Sequence, residues 1–123
     1  NKEGHTLLQQ LIHATKKLAI GAYSDQPEPF MGPVVSSATA KDLLIAQNNL
    51  MSQGATAHLL MNHLNEQTGL ITPGLIEITA IAREERLDEE WFGPLLQVYF
   101  ASDMNEAIFE ANQTRYGLAA GLL

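Results

Sequence analysis

The stretch Asp88-Glu89-Glu90-Trp91-Phe92-Gly93-Pro94, followed at once by Leu95-Leu96-Gln97-Val98-Tyr99-Phe100, constrains this chain more than any other. Three acids run into two aromatics, then a Gly-Pro breaker, then an almost wholly apolar run. The pattern reads as a polar loop that delivers the chain into a buried strand, and loops at strand ends are common places for ligands to be met. Glu90 and Phe92 are separated by one residue, so on an extended backbone both side chains project to the same side. A carboxylate can accept from two vicinal hydroxyls, and a ring beside it offers a flat apolar surface to a heterocycle. The plainer alternative is a solvated acidic loop with the two aromatics in the core.

The residues after this loop set the fold class. The strand from Leu95 to Ala101 leads to Ser102-Asp103, residues suited to capping a helix, and Met104, Ala107, Ile108 and Ala111 mark that helix's buried face. Asn112 to Gly117 reads as a turn, and Leu118 to Leu123 as the next buried strand. Strand, helix and strand joined by short connections predict a right-handed crossover and a parallel sheet.

The upstream half fits the same class. Leu7, Leu8, Leu11, Ile12, Leu18 and Ala19 share a helical face over about Thr6 to Ala19, a helix ended by Gly21. Residues Asp25 to Pro33, with three prolines and a glycine, form a loop whose apolar tip, Phe30-Met31, is expected to pack against something. Ser36 or Ser37 caps a second helix with Leu43, Leu44, Leu50 and Met51 on one face, and Gly54 closes it in the left-handed conformation. Ala55 to Met61 then reads as a strand and Asn62 to Gly69 as a polar loop. Leu70 to Thr79 is β-rich but broken at Pro73-Gly74, hence two short strands. Arg83-Glu84-Glu85-Arg86 reads as an exposed, solvated turn.

Composition removes several functions. At 123 residues the chain is one domain's worth or less. A formal charge of −7 without a basic cluster argues against nucleic-acid or anionic-membrane partners. With no cysteine, these residues can form neither a thiolate metal site nor a thiol nucleophile. His13 has no partner at ligand spacing, and His58 and His63 stand five apart, so no metal site is expected. No apolar run approaches the roughly 20 residues of a membrane span, and no signal peptide is visible at the N-terminus, so a soluble, cytoplasmic protein is expected. Asn1 in place of Met, and an end at Leu123 directly after an apolar run, make both ends look like cuts.

Glu90-x-Phe92-Gly93-Pro94 before a hydrophobic strand resembles the cofactor-ribose motif of the aldehyde dehydrogenase superfamily. Met31-Gly32-Pro33-Val34-Val35-Ser36 resembles that family's Gly-Pro-x-x-Ser before a helix, and Gly54-Ala55 its helix end. Asn112-Gln113-Thr114-Arg115-Tyr116-Gly117-Leu118-Ala119-Ala120 resembles its Asn-x-x-x-Tyr-Gly-Leu segment. Within the superfamily, Gln26-Pro27-Glu28-Pro29-Phe30-Met31-Gly32, Thr72-Pro73-Gly74 and Phe92 to Val98 are most similar to the N-succinylglutamate 5-semialdehyde dehydrogenases of bacterial arginine catabolism.

The resemblance implies an α/β fold, part of the catalytic domain, with helices packed on a mostly parallel sheet. It implies that Glu90 binds the nicotinamide-ribose hydroxyls of NAD and that Phe92 packs beside the nicotinamide. Family members add a cysteine thiolate to an aldehyde, pass a hydride to NAD and hydrolyse the resulting thioester with a glutamate-activated water. The cysteine, the general-base glutamate segment, the glycine-bearing nucleotide loop and the oligomerisation strand have no counterpart here. Residues 1–123 therefore read as a catalytic-domain fragment lacking the cofactor-binding domain and the nucleophile segment. It holds no catalytic residue of its own, is inactive alone and binds NAD weakly, and the parent is expected to be a homo-oligomer acting on a small aldehyde. Two alternatives stay open: a free-standing binding module on the same scaffold, and a self-associating structural piece.

Overall fold

The computed structural model describes residues 2–121. It contains helices α1 (Lys2–Thr15), α2 (Ser37–Ser52) and α3 (Met104–Ala111), strands β1 (Thr56–Leu59), β2 (His63–Asn65), β3 (Leu70–Ile71), β4 (Gly74–Glu77) and β5 (Leu95–Val98), and a 3-10 turn at Arg83–Glu85. This is an α/β fold with helices on a sheet, as the sequence predicts; the sheet is partly parallel.

β4 is central. The three-stranded sheet has the order β1-β4-β5; β1 runs antiparallel to β4, with a bulge between Ala57 and Leu59, and β5 runs parallel to β4 in the register Gly74↔Leu95 to Glu77↔Val98. Leu75 and Ile76 are buried, which places both faces of this strand inside and explains its unbroken apolar run. The parallel crossover from β4 to β5 carries the acidic loop at residues 88–94, so the sheet itself fixes where that loop starts and ends.

α2 packs on β3 and β4. Ser36 accepts a hydrogen bond from Thr39 N at 3.0 Å as N-cap, and Gly54, at φ +102°, turns the chain out of the helix through a region unfavourable to other residues. Its buried face runs through Ala40, Leu43, Ala46 and Gln47, whereas the apolar spacing points to Leu43, Leu44, Leu50 and Met51; two alanines bring the helix close to the sheet. Ala40, Leu43, Met61 and Ile71 form the core beneath it, with Val34, Leu44, Trp91 and Leu95 packed around them. The buried Gln47 amide spans the backbone of Met61, accepting from its N–H at 2.7 Å and donating to its carbonyl at 3.2 Å. Those two groups lie beyond the end of β1 and have no ladder partner, so a polar residue in the core is what satisfies them. Ser36→Ala is expected to cost about 1 kcal/mol through loss of the α2 cap, read as a lower urea midpoint with unchanged slope.

Five expectations are corrected. Met104, Ile108 and Ala111, expected on the buried face of α3, are exposed. α1 stops at Thr15 rather than Ala19: hydrogen bonds tighten to Lys17 N→Ala14 O and Leu18 N→Thr15 O, and Ala19 to Gly21 pair instead with Phe30 and Met31 across the bridge Ile20↔Met31. The segment expected to be a loop, Asn62 to Gly69, contains β2, which pairs antiparallel with β3; the turn between them is closed by Asn65, whose side chain accepts from Gln67 N at 2.9 Å. Phe30, expected to be packed, is 78% exposed. The final strand expected at Leu118 to Leu123 is absent over residues 118–121, where the backbone is irregular and Leu118 is fully exposed, and Leu122 and Leu123 lie outside the described residues. An apolar run becomes a strand only where a neighbour supplies a ladder, and no described strand pairs with it. No helix among the described residues is long and apolar enough to cross a membrane.

Candidate functional site

The loop at residues 87–94 is pinned at its C-terminal end by packing and by backbone. Trp91, for which the sequence offers no partner, is half-buried against the Ala40, Leu43, Met61 and Ile71 core. Beyond it come two successive three-residue turns, Gly93 N→Trp91 O at 2.8 Å and Leu95 N→Gly93 O at 2.9 Å, and Gly74 N donates to Pro94 O at 2.8 Å, tying the loop to the first residue of β4. A Cβ on Gly93 would collide with Leu43 Cδ1 and lie 3.0 Å from Leu43 Cδ2. Only a residue without a side chain lets the loop sit this close to α2.

Because Trp91 points inward, its neighbours point out. Leu87, Glu89 and Trp91 line a cleft of about 160 Å³ with Leu50 of α2 and Gln53 just after it. Phe92 is 77% exposed. Glu90 is exposed, and among the described residues no hydrogen bond or ion pair occupies its carboxylate. The two residues singled out by the motif are thus both exposed to solvent.

The loop's N-terminal end is held by charge. The turn at residues 83–86 is not merely solvated: Arg83 pairs with Glu110 of α3 and lies 4.2 Å over the Phe109 ring, while Arg86 reaches Glu110 at 3.0 Å, lies 4.4 Å over Tyr99 and donates to Ile81 O at 2.9 Å. Glu84 and Glu85 are exposed as expected. Asp103 caps α3, accepting from Glu106 N at 2.9 Å, and Glu106 reaches back to Ser102 N at 2.6 Å and accepts from the Tyr99 hydroxyl. The Ser102 and Tyr99 hydrogen bonds draw the Glu106 acid from the ordinary 4.5 down to about 2, and the same Glu106 bond, with some burial, pushes the Tyr99 phenol up. A lowered acid stabilises the fold above its unfolded value and loses that contribution as pH falls through the folded one. We therefore expect α3 to loosen between about pH 4.5 and pH 2, seen as a change in tyrosine fluorescence that Glu106→Gln abolishes.

Asp88 makes long-range contacts for which the sequence gives no signal. Its carboxylate accepts from Thr114 Oγ1 at 2.6 Å and from Arg115 N at 2.8 Å, linking the acidic loop to the segment at residues 112–120. The Arg115 amide, then the Thr114 hydroxyl, hold its acid below the usual carboxylate range. His58 Nε2 lies 2.9 Å from Glu77 Oε2 across β1 and β4, while His63 stands on β2 in the other sheet, so the two histidines do not converge.

A family model described as the aldehyde dehydrogenase family matches residues 4–123. The chain belongs to the aldehyde dehydrogenase family. Solved members superpose on it. Methylmalonate-semialdehyde dehydrogenase from Oceanimonas doudoroffii does so at a TM-score of 0.79 with 26% identity, over 94% of this chain and 24% of its own. A double mutant of Staphylococcus aureus betaine aldehyde dehydrogenase, solved with NAD+, does so at 0.77 with 27% identity, over 95% of this chain and 24% of its own. Succinic semialdehyde dehydrogenase from Streptococcus pyogenes, solved with NADP+, shares the fold at 0.83 with 24% identity, over 95% of this chain and 25% of its own. This aldehyde dehydrogenase chain spans about a quarter of the length of the family structures it matches.

Proposed function

We propose that this chain is the part of an NAD-dependent aldehyde dehydrogenase's catalytic domain that holds the nicotinamide half of the cofactor. Glu90 receives the ribose hydroxyls and Phe92 lies beside the ring. The observation that supports the reading is that, while Trp91 packs onto the α2 core, Phe92 is largely exposed and the exposed Glu90 carboxylate has no hydrogen bond or ion pair among the described residues. NAD, when bound, accepts the hydride. The chain's own residues orient it, and orientation alone can change a rate by orders of magnitude. The groups that make and break covalent bonds belong to the rest of the catalytic domain, and the cofactor-binding domain to other parts of the parent.

The parent's substrate in this reading is N-succinylglutamate 5-semialdehyde, oxidised to N-succinylglutamate in bacterial arginine catabolism. The support is the wording of Gln26 to Gly32, Thr72 to Gly74 and Phe92 to Val98. The parent is cytoplasmic and homo-oligomeric, with no nucleic-acid or membrane partner, in keeping with the net charge of −7. By itself the chain binds NAD weakly, because one carboxylate and one ring do not offset the ordering of a large ligand. The test is to assay the full-length protein with NAD and a panel of semialdehydes. A kcat/KM at least about tenfold higher for N-succinylglutamate 5-semialdehyde than for succinic semialdehyde, a gap of about 1.4 kcal/mol, supports the substrate. Equal values sink it.

The second reading, a self-associating module without catalysis, draws on the unpaired edge of β5 and on exposed Tyr23, Val35 and Leu118. Sedimentation of the dilute chain as monomer alone would remove it.

A further inference from the structure

Between the acidic loop and α3 lies a cleft of about 430 Å³, lined among others by Arg83, Arg86, Tyr99, Asp88 and Thr114. Space of that size beside a loop leaves it room to move, so what spans the gap decides where the loop rests. Asp88 spans it. Its two oxygens take one hydrogen bond each from Thr114 Oγ1 and Arg115 N, 26 and 27 residues away. The receiving segment is itself braced: Tyr116 N donates to Thr114 Oγ1 at 3.1 Å, and Arg115 Nη2 donates to the Tyr116 hydroxyl at 3.0 Å. Residues 112–121 carry no helix or strand, so this side-chain clasp does what a backbone ladder does elsewhere. Asp88 also stands two residues before Glu90, so a backbone shift at Asp88 is passed along the loop to Glu90.

We infer that Asp88 is a positioning residue, whose clasp on Thr114 and Arg115 holds Glu90 and Phe92 at the spacing a nicotinamide riboside requires. The inference rests on the nicotinamide half-site reading. The Arg115 amide and Thr114 hydroxyl keep the Asp88 carboxyl ionised well below neutrality, so the clasp stays closed across the physiological range.

The test uses the full-length enzyme with NADH as probe, its binding followed by nicotinamide fluorescence, in Asp88→Ala, Asp88→Asn, Thr114→Val, Glu90→Gln and the Asp88→Ala/Glu90→Gln pair. Asp88→Ala and Thr114→Val should each weaken NADH by about three- to tenfold, the worth of a modest hydrogen bond. Asp88→Asn should recover most of the loss, because its amide oxygen still accepts from Arg115 N. In the Glu90→Gln background Asp88→Ala should add clearly less than its full effect, since much of it acts through Glu90; a residue that merely stabilises the fold would add its full effect. Should Asp88→Ala fail to fold, Thr114→Val carries the test, because it leaves Asp88 its bond to Arg115. If Glu90→Gln weakens NADH while Asp88→Ala and Thr114→Val do not, the inference is overturned and the half-site reading stands. If Glu90→Gln itself leaves NADH binding unchanged, the half-site reading fails and this inference with it.

Discussion

Replacing Glu90 by glutamine in the full-length enzyme is expected to slow single-turnover hydride transfer by about 10- to 100-fold, the worth of about 1.5–3 kcal/mol for hydrogen bonds to a charged acceptor. Glutamine keeps the length of the side chain but offers one acceptor oxygen in place of two and removes the charge, so a diol that a carboxylate grips with both hydroxyls is held by one. Folding should not suffer. Glu90 is exposed, and among the described residues its carboxylate supports no hydrogen bond or ion pair, so a variant with an unchanged unfolding midpoint and a reduced rate separates cofactor positioning from stability. Stopped-flow appearance of NADH fluorescence reads the rate directly. An unchanged rate together with unchanged NADH affinity would remove Glu90 from the site.

Gly93→Ala is expected to destabilise the protein by about 3 kcal/mol, the upper end of the usual cost of overpacking. The added methyl would run into Leu43 Cδ1 and lie 3.0 Å from Cδ2, and Leu43 is 1% exposed, packed in the core with Ala40, Met61 and Ile71. Either α2 moves off the sheet or the loop lifts away from α2. The second outcome tilts Trp91 out of its place and carries Glu90 and Phe92 with it, so NADH binding should fall along with the urea midpoint. Gly93→Ala combined with Leu43→Ala makes room for the methyl, and that pair should be less than additive. A full sum of two independent losses would show that the loop does not rest on Leu43.

The helix cap at Ser36 or Ser37, the Gly54 helix end, the Asp103 cap and the break at Pro73-Gly74 were legible in the sequence, because each is decided by a few consecutive residues. The contacts that distant segments make with each other are not legible in that way. Trp91 finds its partners in α2 and β3, and Asp88 finds Thr114 and Arg115 across the cleft. Arg83 and Arg86 look solvated until Glu110 of α3 is folded beside them.

The overextended α1 has the same cause. Leu18 and Ala19 continue its apolar spacing, but the backbone at Ala19 to Gly21 is taken by Phe30 and Met31. The β2 strand was hidden because it is three residues long, two of them polar, and largely exposed, so only its pairing with β3 defines it. The strand expected after Gly117 rests on apolar content alone, which does not supply a ladder. The expected sheet was mostly parallel; β4 and β5 are parallel, while β1 returns antiparallel.

The most direct test of the central claim, that this chain is the cofactor-facing part of a larger aldehyde dehydrogenase, is to read the coding sequence immediately upstream of the Asn1 codon. An in-frame segment bearing a cysteine is expected there, supplying the thiolate that the family resemblance implies and that these 123 residues do not contain. An initiation codon directly before Asn1 would contradict the claim and would leave the Glu90 and Phe92 surface in need of another ligand.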